Sequence, residues 1–287
     1  MQIHWQTSRF LIDLSRPRVM GIVNVTPDSF SDGGQHAGAA AAVAHCERLV
    51  KEGADILDIG GESSRPGAEP VPIELEMART LPVLAAAVAL GVPISIDTVK
   101  PALMQAALDL GVDIVNDINA LRAPGAEALI AAHPNCGVCL MHMRGEPLSM
   151  QTDPHYADVV GEVAAFLRDR ADALRARGVA AERITLDPGI GFGKTHAHNL
   201  ELLRRQHELL AIGLPLLAGW SRKGSLGKIT GREPGDRVVA SVAAALAAVQ
   251  RGARIVRVHD VAATVDALAV WHAAGLDGIA ARHNPAP

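Results

Sequence analysis

The sequence predicts an α/β fold, a single (β/α)8 TIM barrel, and three observations carry that prediction. Short β-branched runs alternate with Ala/Leu-rich runs of helical spacing along nearly the whole chain, the pattern of parallel strands joined by crossover helices. The apolar runs number eight, which favours closure into a barrel over an open doubly wound sheet. The chain has 287 residues, close to the roughly 250 typical of one such barrel, and no low-complexity tract or linker divides it. Residues 1–287 therefore read as one domain.

Taken in order, Met1–Arg16 is a short extension expected to form a strand pair closing the barrel floor. The strands are then Val19–Thr26, Ile56–Gly61, Ile94–Thr98, Ile114–Ile118, Val138–His142, Ile184–Asp187, Pro215–Trp220 and Ile255–Asp260. Between them, helical spacing runs through Ala40–Glu52, Glu74–Leu90, Pro101–Leu110, Tyr156–Arg177, Asn199–Leu210 and Arg237–Arg251. Several helical runs end at a glycine followed by a buried strand, at Gly53, Gly91, Gly111 and Gly252; glycine accepts the left-handed conformation that closes a helix. The tail 279–287 reads as frayed.

Composition narrows the partners. Aromatic residues are only 3%, too few for base-stacking platforms, and a net charge of −4 with scattered Lys and Arg excludes a polybasic surface for nucleic acid or anionic lipid. No apolar stretch reaches the roughly 18 residues of a membrane span, and the N-terminus lacks a signal pattern, so a cytoplasmic protein acting on small molecules is expected. Three cysteines cannot all pair; Cys136 and Cys139 have CxxC spacing but lead into a strand with no second pair to complete a zinc site, so they read as small buried thiols.

The strand ends carry the chemistry. In order they are Asn24, Glu62, Asp97, Asn116 with Asp117, His142, Asp187, Ser221-Arg222-Lys223, and Arg257 with His259. All should reach one face of the barrel, where such folds place their active sites. Burying so many polar groups costs a few kcal/mol each unless a ligand pairs with them. Asp97, Asn116 and Asp187 suit a flat heterocycle with N–H and C=O edges. Lys223, Arg257 and His259, with Asn24 beside them around the ring, offer cationic and polar contacts to an anion such as pyrophosphate, although Lys223 or Arg257 taken singly could pair with a neighbouring Asp. Two loops look like lids that exclude water: Pro27–Gly34 after the first strand, and Glu62–Gly67, with Arg65 beside a rigid Pro66, after the second. The run DPGIGFGKT is no P-loop, because Pro188 stands where that motif needs glycine, and His196-Ala-His198 reads as a solvated helix start rather than a metal site.

The motifs NVTPDSFSDGG, GGESSRPGA, IDT, NDI, DPGIGFGK, SRK and RVHD, in this order on these strand ends, resemble the dihydropteroate synthase family over essentially the whole chain. The resemblance implies a transferase that joins p-aminobenzoate to 6-hydroxymethyl-7,8-dihydropterin pyrophosphate in folate biosynthesis, with Mg²⁺ as cofactor and a homodimer as assembly. It implies that Asp97, Asn116, Asp187 and Lys223 hold the pterin and that Arg65, Arg257 and His259 hold the pyrophosphate. Asn24 would lie near Mg²⁺, and Phe192 and Pro66 would wall the aminobenzoate site. Asp97, Asp187, Lys223, Arg257 and His259 would carry catalysis, through an SN1-like C–O cleavage without a covalent enzyme intermediate. Sulfonamides, which mimic aminobenzoate, are expected to inhibit. Two positions depart from the family pattern. Ser64 replaces a common Thr and keeps the hydroxyl, and Gly224 replaces a Ser that can hold the aminobenzoate carboxylate, leaving Ser225 or a backbone N–H for that contact. Three rivals remain. A methyltetrahydrofolate:corrinoid methyltransferase needs no pyrophosphate cluster, and a silent paralogue would bind without turnover. An aldolase with Lys223 as Schiff base leaves Arg65 and both loops unexplained.

Overall fold

Each of the eight apolar runs forms a strand in the computed structural model of the chain, which describes residues 3–26, 34–65 and 67–276. The first two strands belong to the extension: β1 (His4–Gln6) and β2 (Leu11–Asp13) pair antiparallel. The barrel strands are β3 (Arg18–Asn24), β4 (Ile56–Gly60), β5 (Ile94–Asp97), β6 (Ile114–Asp117), β7 (Gly137–Met141), β8 (Ile184–Asp187), β9 (Leu216–Ala218) and β10 (Ala253–Val258). They close in the order β10-β3-β4-β5-β6-β7-β8-β9, with parallel pairing throughout.

Around the barrel run α1 (Gly34–Lys51), α2 (Ile73–Ala87), α3 (Pro101–Asp109), α4 (Ala126–Ala132), α5 (Val159–Ala176), α6 (His196–Arg204), α7 (Gly224–Thr230), α8 (Val238–Gln250) and α9 (Val261–Ala273). The four glycines predicted to close helices all take positive φ, between 78° and 96°. Three helices, α4, α7 and α9, were not among the predicted segments. The first two span 7 residues each, too short for periodicity to stand out, and α9 is apolar on nearly every face of its sequence. The predicted helix Asn199–Leu210 instead breaks into α6 and a 3₁₀ segment, Gln206–Ile212, and His196–His198 opens α6 behind a Thr195 capping box. The predicted strand Pro215–Trp220 shortens to β9 because the chain turns at Ser221–Lys223, where Arg222 takes φ 58°.

Strand alternation sorts the side chains into two cores. Outward residues such as Val23, Leu57, Ile96, Val115, Leu140, Leu186 and Val256 pack beneath the helices. Inward, Met20, Ile56, Ile114, Cys139, Leu217 and Ile255 cluster with Trp5, Ile12 and Leu14 of the extension. The strand pair therefore plugs the lumen from below, and Trp5 donates its indole N–H to the Arg183 carbonyl at 3.0 Å. Cys46, Cys136 and Cys139 are buried free thiols. With the floor filled by apolar side chains, polar groups one step further along the same strands have only the opposite mouth to face.

Candidate active site

Two residues beyond the apolar floor, the inward positions change character. On β4 the step from Ile56 leads to Asp58, on β6 from Ile114 to Asn116, and on β10 from Ile255 to Arg257. Register places Asp58 opposite Ser95, Gly60 opposite Asp97, and Asp97 opposite Asn116. These neighbours are wired together. Arg257 donates from Nε to Asp58 Oδ2 at 2.6 Å and from an Nη to Asp97 Oδ2 at 2.6 Å, while Asn116 Nδ2 donates to Asp58 Oδ2 at 3.0 Å. Burial alone would lower the Arg257 guanidinium, but Asp58 and Asp97 overcome it and hold Arg257 firmly charged. Burial raises the Asp97 carboxyl, against the pull of Arg257.

The predicted heterocycle and anion sides meet at one residue, and Arg257 makes the pairing with neighbouring Asp residues that its sequence position left open. Arg257, read as an anion contact, stands at the boundary and grips the carboxylate assigned to the other side. Asp58 was missed altogether. Its signal was present in the sequence, since a lone carboxylate inside the apolar run Ile56-Leu57-Asp58-Ile59 is expensive unless something pairs with it.

Asp187 ends β8, buried, and accepts the Gly189 N–H on Oδ1 at 2.7 Å. Burial raises its carboxyl, while Lys223 and Arg257 oppose the rise. The loop beyond it folds tightly. Gly189 sits at φ 68°, and a Cβ there would lie 1.9 Å from the His142 carbonyl oxygen, so only glycine allows the chain this close. Lys194 is buried beneath the loop and donates to the carbonyls of Gly189 and Phe192 at 3.0 Å each and to His142 Nδ1 at 2.8 Å. Burial, reinforced by Lys194, depresses the His142 imidazole to about 2, so His142 is neutral and serves the loop rather than the mouth. Asn199 completes the brace, accepting the Gly191 N–H at 2.8 Å and donating to Ser225 Oγ at 3.2 Å.

This loop presents Phe192, which packs with Ile118, Met141, Met143 and Met150 in an apolar patch. Lys223 Nζ lies 4.2 Å from the Phe192 ring centroid. Burial lowers the Lys223 ammonium to about 8, with Asp187 opposing and Arg257 adding to the fall. An apolar wall beside two acceptors and a cation is how proteins receive a flat polar ring.

His259 lies just past β10. Its backbone N–H donates to Ser221 Oγ at 3.1 Å, and Ser221 Oγ lies 2.9 Å from His259 Nδ1. The serine thus ties the His259 backbone and ring together and leaves Nε2 as the ring nitrogen not engaged by Ser221. Burial, with Arg257 and Arg222 adding, lowers His259 to about 3. Of the cationic and polar contacts expected at this side, His259 is therefore a neutral, polar one in the ligand-free protein. Arg65 is exposed on the second loop, yet close enough for its charge to bear on His259. Ser64 is half-buried beside it, and Asn24 ends β3 opposite Gly60, on the inward face by alternation from Met20. Pro66 and residues 27–33 of the first loop lie outside the described residues.

Four of the polar strand ends are engaged by partners within the protein. Glu62 accepts the Val71 N–H at 2.9 Å and pairs with Lys100, which also pairs with buried Glu76, so it ties the ends of the second loop together. Asp117 points outward and accepts the N–H groups of Asn119 and Leu121 at 2.6 and 2.8 Å. Arg222 pairs with Asp260 at 2.5 Å. His142 supports the Lys194 loop, as described.

The chain matches known proteins along nearly its whole length. Residues 20–259 match the family model described as pterin binding enzyme. A dihydropteroate synthase of Neisseria meningitidis serogroup C is 56% identical over 277 residues, which span 95% of this chain and 98% of the relative. A solved Xanthomonas albilineans dihydropteroate synthase with 4-aminobenzoic acid superposes with a TM-score of 0.90 at 52% identity, covering 96% of this chain and 99% of that one. The same enzyme in complex with 7,8-dihydropteroate gives a TM-score of 0.86 at 51% identity, covering 94% and 98%.

Proposed function

Because the chain belongs to the dihydropteroate synthases among the pterin-binding enzymes, we propose that it joins p-aminobenzoate to 6-hydroxymethyl-7,8-dihydropterin pyrophosphate, releasing 7,8-dihydropteroate and pyrophosphate in folate biosynthesis. The observation that carries this reading is the wiring of Asp97, Asn116 and Arg257 at one barrel mouth, with Asp187 and Lys223 close enough to act electrostatically on the same guanidinium.

In this reading Asp97 and Asp187 accept hydrogen bonds from ring N–H groups, Asn116 contributes an amide, and Lys223 donates to a ring acceptor. Arg257, His259 and Arg65 receive the diphosphate. As the methylene C–O bond breaks, its electron pair leaves with the pyrophosphate and positive charge develops on the pterin. The carboxylates stabilise the cation while the basic groups stabilise the leaving group, which is preorganised electrostatic catalysis. The arylamine nitrogen then bonds to the methylene and sheds a proton. No enzyme nucleophile is required, and because the C–O bond breaks before the arylamine attacks, the proposed path is SN1-like. The two loops shield the cation from water. Ser225 already accepts from Asn199, so its hydroxyl proton or the adjoining backbone N–H remains for the aminobenzoate carboxylate near Gly224.

Mg²⁺ fits the same site. The ion keeps several waters and usually binds through few protein oxygens plus substrate phosphates, and Asn24 supplies one neutral oxygen at the end of β3 beside Gly60. When bound, it would neutralise developing charge on the leaving pyrophosphate. A homodimer would cover the exposed apolar side chains Ile229, Val239 and Val270 on α7, α8 and α9. Among the described residues no helix is long and apolar enough to cross a membrane, and we place the reaction, which uses small polar substrates, in the cytoplasm.

The test is to mix the protein with the pterin pyrophosphate, aminobenzoate and Mg²⁺ and to measure pyrophosphate and dihydropteroate together. Equal amounts of both are expected. Neither product, with pterin binding intact, would identify a silent paralogue. Methyl transfer from methyltetrahydrofolate would identify the corrinoid methyltransferase.

A further inference from the structure

Asp58 is given no substrate contact in the reading above, yet it links Asn116 to Arg257 at the centre of the site. Its side chain is 0% exposed, and one oxygen, Oδ2, accepts from both Arg257 Nε and Asn116 Nδ2, at 2.6 and 3.0 Å. The other, Oδ1, is buried with no hydrogen-bond partner. A buried carboxylate left half-satisfied is a weak stabiliser, and well-packed apolar residues usually serve as well or better. The layer directly below is built that way, from Ile56, Ile114, Leu217 and Ile255. Stability therefore gives no reason for Asp58.

Its contacts give one. An ionised carboxylate only accepts, so the Asn116 amide must turn its NH₂ toward Asp58 and its oxygen away. The two ends of an Asn side chain have nearly the same shape, and only the partner decides which faces the ligand. The same oxygen also holds Arg257 at Nε, a contact that survives when a heterocycle N–H claims Asp97. We infer that Asp58 is a positioning residue that orients Asn116 as an acceptor toward the heterocycle and pins Arg257 between the heterocycle and the diphosphate. This rests on the function proposed above and adds a specificity rule: the site requires an N–H donor on the ring edge that meets Asn116.

The test is Asp58→Asn in the full chain, assayed by steady-state kinetics and by calorimetric binding of 6-hydroxymethylpterin. An amide at this position can donate or accept, so Asn116 is free to flip. The KM for the pterin pyrophosphate should rise by about tenfold, with pterin affinity falling alike and the KM for aminobenzoate unchanged. A merely structural role would lower kcat through the folded fraction and leave both KM values where they were; that outcome, or unchanged kinetics, overturns the inference. If the variant does not fold, side-chain amide NMR of the wild type decides. The Asn116 NH₂ protons should stay exchange-protected and nearly unshifted when the pterin binds, and protons that move as ligand contacts would refute the assignment. A wild-type protein that neither binds the pterin nor forms dihydropteroate refutes the function and this role together. A working wild type with an unaltered Asp58→Asn variant refutes the role of Asp58 alone.

Discussion

Asp97→Asn separates chemistry from architecture more sharply than any other single change at this site. In the ligand-free protein the Asp97 carboxylate accepts from Arg257 at 2.6 Å, and its side chain is 15% exposed. A hydrogen bond to a charged group is worth about 1.5–3 kcal/mol, but the carboxylate also bears a desolvation cost of several kcal/mol, and Arg257 keeps its second partner, Asp58. The two effects largely cancel. Stability should change by about 1 kcal/mol, or roughly 2–4 °C in thermal midpoint for a chain of this size. Activity has no such cancellation. The amide has one oxygen, and if Arg257 takes it, an NH₂ faces the N–H groups of the substrate, donor against donor. Losing a charged acceptor and leaving a buried donor unmatched should cost about 3–5 kcal/mol, which is about 10²–10⁴-fold in kcat/KM. The assay is coupled pyrophosphate release at several pterin pyrophosphate concentrations, alongside a thermal melt. A variant within threefold of wild type, or one whose activity loss is matched by loss of the folded fraction, would show that Asp97 is structural.

Other consequences are open to measurement. Lys223 should set the alkaline limb of kcat/KM: the ammonium, lowered to about 8 by burial, loses its proton and with it the positive charge offered to the ring acceptor as pH rises, so the rate should fall about tenfold per unit above that point. Lys223→Arg should lower the plateau but remove the limb up to pH about 9, since a guanidinium stays charged there; an unmoved limb would assign it elsewhere. Because the folded value is below the ordinary 10.5, the unfolded chain binds more protons between the two, and the Lys223 contribution to stability should increase as pH rises from about 8 to 10.5. Lys194→Met should take the Lys194 donor from the buried carbonyls of His142 and Phe192, at about 1–3 kcal/mol each, and loosen the loop that carries Phe192. A lower thermal midpoint and a raised KM for aminobenzoate are expected, and a melt equal to wild type would refute the clamp. Chelation with EDTA should stop turnover and added Mg²⁺ should restore it; turnover that persists in EDTA would remove Mg²⁺ from the mechanism.

Strand and helix order was legible because periodicity is a local property. The run Ile94-Ser-Ile-Asp97 reads as a strand ending in a carboxylate, and β5 ends there. The plug formed by β1 and β2 could be expected too, since an apolar strand pair ahead of the first barrel strand has to bury Trp5 somewhere, and it does so completely. Asp58 lies in mid-strand, where no strand-end pattern marks it as part of the mouth. Glu62, Asp117 and Arg222 stand at equally polar strand ends, yet each is spent on its own loop or on a neighbouring charge. No local pattern distinguishes them from Asp97.

By itself, the order of residues determined the eight-stranded closure and the set of polar groups delivered to one end of it, since alternation along a strand and glycine at a helix end act over a few positions. Which of those groups touch was decided by the barrel alone. Arg257 meets Asp97 across 160 positions of sequence and Asp58 across 199. Closing the ring removes water from between them, and without water a guanidinium must find its carboxylates wherever the strands have carried them.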